Sequence, residues 1–225
     1  PTNPCQYIDL PSVQRYESHY YTAQQLQELL DLIRDDPLYP LVKITTIYGL
    51  RRSELLGLQW DSIDFERGLL TIRHTVTKVS KTVEKDKTKN ASSYRSFPLL
   101  DEAREIFLQA KKEEKENRRL MGKDYQDNAY VFKWPDGRPI SPDYVTHHFP
   151  TLLNKYNLPR IRFHELRHSC ASLLLSNGFA LKDVQEWLGH SDIKMTANIY
   201  GHLDVAWKQS IADKMGSLFA NAEFE

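Results

Sequence analysis

The chain begins without a hydrophobic period. In "PTNPCQYIDLPSVQRYESHYY" prolines and polar residues surround isolated apolar ones, so residues 1–20 are expected to form an interdomain linker. Periodicity starts at "TAQQLQELLDLIRDD", where Leu26, Leu29, Leu30 and Ile33 share one side of a helix. Thr22 stands at its start, and Gln25 completes a capping box. A second, more apolar helix, "PLYPLVKITTIY", stops at Gly49, and "GLRRSELLGLQW" turns the chain. The period then changes. "GLLTIRHTVTK" and "YRSFPL" are rich in β-branched and aromatic residues and predict strands, with "VSKTVEKDKTKNASS" between them as a basic, polar hairpin region. Helical spacing returns in "DEAREIFLQAKKEEKENRRL", "PDYVTHHFPTLLNKY", "HELRHSCASLLLSNG", "LKDVQEWLGH" and the stretch after Asp204. Gly178 and Gly189 stand where helices should end. The expected fold class is mainly α with a small antiparallel β-sheet (α+β), without internal repeats.

Composition adds bounds. The 225 residues are 40% hydrophobic and 27% charged, as in a globular chain able to bury a core. Neither a membrane-length apolar run nor a secretory start is present, so no membrane partner and a cytoplasmic location are expected. Cys5 and Cys170 read as incidental thiols of a reducing compartment. The formal net charge is zero, so attraction to a nucleic acid has to come from local groups of cations.

Two chemistries compete at "HELRHS". His164-Glu165-Leu166-Arg167-His168 fits the HExxH pattern, in which two histidines share a zinc ion and Glu165 acts as general base. That motif belongs inside a helix, whereas "PRIRF" directly before His164 implies that the helix only starts there. In the other reading His164 and Arg167, three apart, make a site for an anionic oxygen, while Leu166, Cys170 and Leu173 mark the buried face. Taken alone, such a pair is more often a solvated face or a salt bridge. Arg51 follows "YGL", with Glu54 close enough to orient it, and a structural ion pair is the plain alternative to a phosphate ligand. Lys89 stands near the hairpin tip, where lysines usually serve solubility. Finally, "LGHSDIKMTANIYGH" sets His190 and Tyr200 ten positions apart.

Together, "YGLRRSELLGLQW", "TKNASSYRSFPL", "HELRHSCASLLLSNG" and "LGHSDIKMTANIYGH" resemble the tyrosine recombinases, in particular the integrases of phages and conjugative transposons. The resemblance runs over about residues 20 to 205 and implies a catalytic domain at 21–204. It implies that Arg51 and Arg167 bind the scissile phosphate, that Lys89 is the general acid, that His164 and His190 assist, and that Tyr200 is the nucleophile. Lys87 also fits the lysine's pattern; the distance to "RSFPL" favours Lys89. Glu54 would support Arg51. The implied substrate is double-stranded DNA at a core recombination site, cut through a 3′-phosphotyrosyl intermediate without a cofactor or metal. The implied assembly is a homo-oligomer on DNA, a tetramer in the synaptic complex, with room for an accessory DNA-bending protein. Lys78, Lys81, Lys87, Arg95, Arg160 and Arg162 are candidate DNA contacts. Residues 205–225 are expected to form a tail helix with Val205, Ile211, Met215, Leu218 and Phe219 on one side, docking either on its own domain or on a neighbouring subunit. A zinc hydrolase built on "HELRH" and a DNA-binding module without catalysis remain the competing readings.

Overall fold

The computed structural model describes residues 19–78, 82–85 and 95–190, together with Ala212, Asp213 and Gly216; for Lys78 and 82–85 it describes the backbone alone. Helix α1 (Ala23–Leu32) starts as expected. Thr22 accepts from the Gln25 amide and the Gln25 side chain accepts from the Thr22 amide, while Leu26, Leu29, Leu30 and Ile33 are all buried. Helix α2 (Tyr39–Tyr48) ends on Gly49, whose φ of 61° is left-handed.

The segment after Gly49, read as a turn, contains a short helix, α3 (Arg52–Leu56). Glu54 starts it by accepting the Arg51 amide at 3.0 Å, with Arg51 itself extended.

The β region departs from a single sheet. "GLLTIRHTVTK" breaks at Arg73 and His74 into β2 (Leu69–Ile72) and β3 (Thr75–Lys78). Strand β2 lies between β1 (Ile63–Asp64) and β5 (Arg95–Pro98), whereas β3 pairs with β4 (Thr82–Lys85) as a separate antiparallel hairpin. The break follows from how closely the chain passes Gly57: a Cβ there would lie 2.5 Å from the His74 carbonyl oxygen. Only the missing side chain lets β3 leave the first sheet over the end of α3.

Helices α4 (Asp101–Met121), α5 (Pro142–Lys155), α6 (Glu165–Ser176) and α7 (Leu181–Leu188) complete the domain. Helix α6 is central and packs on both α2 and α7. Its burial is wider than the predicted stripe: Leu166 and Cys170 are buried, Leu173 only partly, and Glu165, Arg167 and Ser169 are buried too. Gly189 caps α7 at a φ of 66°, and Gly178 also takes a positive φ after α6. Among the described residues no helix is long and apolar enough to cross a membrane.

Candidate active site

Three helix ends meet where Gly49, Arg51 and the last turn of α7 come together. Arg167 reaches this point from the first turns of α6 and is only 1% exposed. Burying a guanidinium requires acceptors for its donors, and it finds them in the Gly49 carbonyl (2.7 Å), the Leu188 carbonyl (2.7 Å) and the His190 ring (3.2 Å). Both carbonyls come from glycine-terminated helix ends, whose last C=O groups lack partners within their own helices. The cation therefore satisfies the C-termini of α2 and α7 at once. Burial, then the charge of Arg51, pushes Arg167 down to about 9, which leaves it cationic at neutral pH.

Arg51 approaches from the other side. Its Nη1 donates to Glu54 at 2.6 Å and its Nη2 to the Gly189 carbonyl at 2.9 Å, and its side chain keeps 30% of its surface exposed. The two arginines thus hold neighbouring carbonyls of one turn, Leu188 and Gly189. Glu54 is buried. Burial alone would raise its carboxyl, but the hydrogen bonds and charge of Arg95, with the charge of Arg51, outweigh this and hold it below the ordinary carboxylate value.

His190 follows the α7 cap. Its amide donates to the Gln185 carbonyl at 3.0 Å, and its own carbonyl accepts from Gln185 at 3.1 Å. Burial, then Arg167 and Arg51, pushes its pKa down to about 3. It is neutral at physiological pH, and because Nε2 accepts from Arg167 the ring proton sits on Nδ1. His164 immediately precedes α6 and keeps an exposed edge. Partial burial, then His168 and the arginines Arg167, Arg51 and Arg162, pushes it down to about 4. Its ring meets His168 edge-on at 5.2 Å.

The zinc reading of "HELRH" conflicts with this geometry. Helix α6 begins only at Glu165, and the Glu165 carboxylate turns back to accept the Arg162 amide at 2.5 Å and its guanidinium at 3.3 Å. A carboxylate buried in that role is not aimed at a metal-bound water. Among the described residues, no three His, Cys, Asp or Glu side chains gather at one point.

The structure thus brings Arg51, Glu54, His164, Arg167 and His190 together. Tyr200, Lys89, Lys87 and Lys81 lie outside the described residues, as do the Lys78 side chain and the apolar positions of the tail. Arg160 is exposed, and Arg162, also exposed, pairs with Glu165. Arg95 differs from its expected place at the DNA. Its side chain is 9% exposed and turned inward onto Glu54, at 2.9 and 3.2 Å, because that buried carboxylate needs a second cation. Sequence reasoning also missed the carbonyls of Gly49, Leu188 and Gly189, although the glycine caps that expose them were legible.

Two guanidinium groups and two neutral imidazoles around one helix end, on a mainly α domain, define the class: a site for an anionic oxygen group. The model of the phage integrase family matches residues 19–206, and the chain belongs to that family as a tyrosine recombinase catalytic domain. It is similar to a "Tyrosine recombinase XerC-like" protein of Caldanaerobacter subterraneus subsp. tengcongensis, 30% identical over 217 residues, which cover 90% of this chain and 55% of the relative. It is also similar to the ICEBs1 integrase of Bacillus subtilis, at 26% identity over 96% of this chain and 59% of the relative. The chain therefore spans between half and two thirds of the length of these relatives. In fold it resembles the Tn1549 transposon integrase solved with circular intermediate DNA: TM-score 0.73, 24% identity, covering 89% of this chain and 68% of that one.

Proposed function

We propose that this domain cleaves and rejoins DNA strands at a specific site, integrating or excising a mobile element or prophage. The observation that carries the reading is the meeting of Arg51 and Arg167 on the adjacent Gly189 and Leu188 carbonyls, with His190 hydrogen-bonded to Arg167. These donors are fixed before substrate arrives, as stabilisation of a five-coordinate phosphorus requires. The Tyr200 oxygen attacks the scissile phosphorus, the P–O bond to the 5′ carbon breaks, and the departing 5′ oxygen takes a proton from Lys89. Neutral His164 takes the phenol proton. Tyrosine has an ordinary pKa of about 10, and two nearby arginines favour its phenolate. The 3′-phosphotyrosine keeps the bond energy for rejoining, so neither a nucleotide nor a metal enters the scheme.

The reading extends to the setting. The substrate is double-stranded DNA, met in the bacterial cytoplasm by a homo-oligomer that becomes a tetramer at synapsis, with an accessory DNA-bending protein where a site demands one. Residues 1–20 join the catalytic domain at 21–204 to a further DNA-binding domain, and Lys78, Lys81, Lys87, Arg160 and Arg162 contact the backbone. The test is a nicked suicide substrate and a denaturing gel. The parent should form a covalent protein–DNA adduct, and Tyr200→Phe, which removes one hydroxyl, should bind DNA normally and form none. An adduct formed by Tyr200→Phe at the parent rate would reject the assignment. Binding without any adduct from the parent would leave a DNA-binding module.

A further inference from the structure

Arg95 begins β5, directly after the segment that carries Lys89. Every nitrogen of its guanidinium is committed: Nη1 and Nη2 donate to the two Glu54 oxygens at 3.2 and 2.9 Å, and Nε donates to the Trp187 carbonyl at 3.2 Å. Its carbon stands 5.3 Å from the centre of the Phe97 ring. Phe97 meets the Trp187 ring edge-on at 4.9 Å, and Trp187 stacks on Tyr48. Strand β5 therefore grips the last turn of α7 twice, once through a carbonyl and once through a ring.

The Trp187, Leu188 and Gly189 carbonyls go to Arg95, Arg167 and Arg51 in that order. Arg95 and Arg51 are in turn bridged by the buried Glu54. We propose that Arg95 is a positioning residue for the cleavage reaction, holding the α7 terminus and His190 in register with the Arg51 guanidinium. The proposal rests on the function argued above. The Arg95 side chain is 9% exposed and turned inward onto Glu54 and the Trp187 carbonyl, so its contribution reaches the phosphate through Arg51 and His190.

Arg95→Lys tests this, because an ammonium group cannot span Glu54 and the Trp187 carbonyl with a planar fork. The 225-residue protein is compared with the variant in three measurements. DNA affinity should change less than about threefold, since no phosphate contact is lost. The single-turnover adduct rate at saturating DNA should fall at least about tenfold, since small displacements of oriented groups are costly. Hydrogen exchange at the Gly189 and His190 amides should rise at least about tenfold as the α7 terminus loosens. If Arg95→Lys melts below the assay temperature, Arg95→Gln, whose amide can still donate to Glu54, replaces it in the same measurements. A parental rate at saturation with weakened DNA binding would overturn the proposal and return Arg95 to the DNA surface. Unchanged exchange at both amides would overturn it as well, because a residue that does not hold α7 positions nothing there. Should the parent itself form no adduct, the proposed function fails instead, and the exchange comparison still decides whether Arg95 clamps the helix.

Discussion

Arg167 donates its Nε hydrogen to Nε2 of His190 at 3.2 Å, inside the protein. The bond exists only while His190 is neutral, since an imidazolium has no acceptor nitrogen. With Nε2 accepting from Arg167, the ring proton of the neutral imidazole sits on Nδ1.

Acid should therefore weaken the fold through His190. Unfolded, the ring binds a proton near the ordinary value of 6.5; folded, it does so only near 3. Between these values the unfolded state holds more protons, so the stability from this ring is complete above the upper value and is lost on acidification toward the lower one. The loss is at most about 1.4 kcal/mol per pH unit. His190→Gln removes the titration, so the gap in urea midpoint between parent and variant should narrow from pH ~7 to pH ~5. A gap independent of pH would mean that His190 titrates normally in the folded protein.

Arg51→Lys should impair cleavage although the charge is kept. Arg51 spans Glu54 and the Gly189 carbonyl with two different nitrogens, and lysine has one. Loss of a fixed donor to the transition state typically costs about 100- to 1000-fold in rate. Single-turnover adduct formation at saturating DNA measures this. A near-parental rate would make Arg51 a structural partner of Glu54.

Gly49→Ala should damage both stability and site. A Cβ at this position would lie 2.3 Å from the Leu188 side chain and 3.3 Å from Cys170 Sγ, at a φ of 61°. The left-handed conformation costs about 1–2 kcal/mol and overpacking about 1–3 kcal/mol. Urea unfolding should show a loss of about 2–5 kcal/mol, together with a slower adduct rate, because Gly49 and Leu188 both supply Arg167 with acceptors. A loss below about 1 kcal/mol would show that Leu188 yields without strain.

Truncation after Asp204 should weaken cooperative assembly on DNA and alter cleavage while the domain stays folded. The sequence spaces Val205, Ile211, Met215, Leu218 and Phe219 as one apolar stripe, and we propose that a neighbouring subunit covers it. Titrations of parent and truncated protein on DNA carrying two sites compare the cooperativity directly. Unchanged cooperativity would return the tail to its own domain.

Local signals in the sequence determined where α1 starts and where α2 and α7 end, but not the short helix α3, which was read as a turn. Thr22 with Gln25 opens α1, and Gly49 and Gly189 close α2 and α7, because capping is settled within one turn of chain. The order of Arg51, His164, Arg167 and His190 was equally legible, since their motifs are short and contiguous. What each cation faces was decided only by tertiary packing. Arg95 and Arg51 are both arginines flanked by ordinary residues, yet one is enclosed at 9% exposure and the other keeps 30%. Both bond the buried Glu54, but Arg95 is also enclosed by the Phe97 ring and the Trp187 carbonyl. The division of one predicted strand into β2 and β3 has the same origin, because it depends on how near the chain passes to Gly57. A hydrogen bond or a close approach between distant segments is a property of the packed chain. Residue types within a few positions of each other carry no record of it.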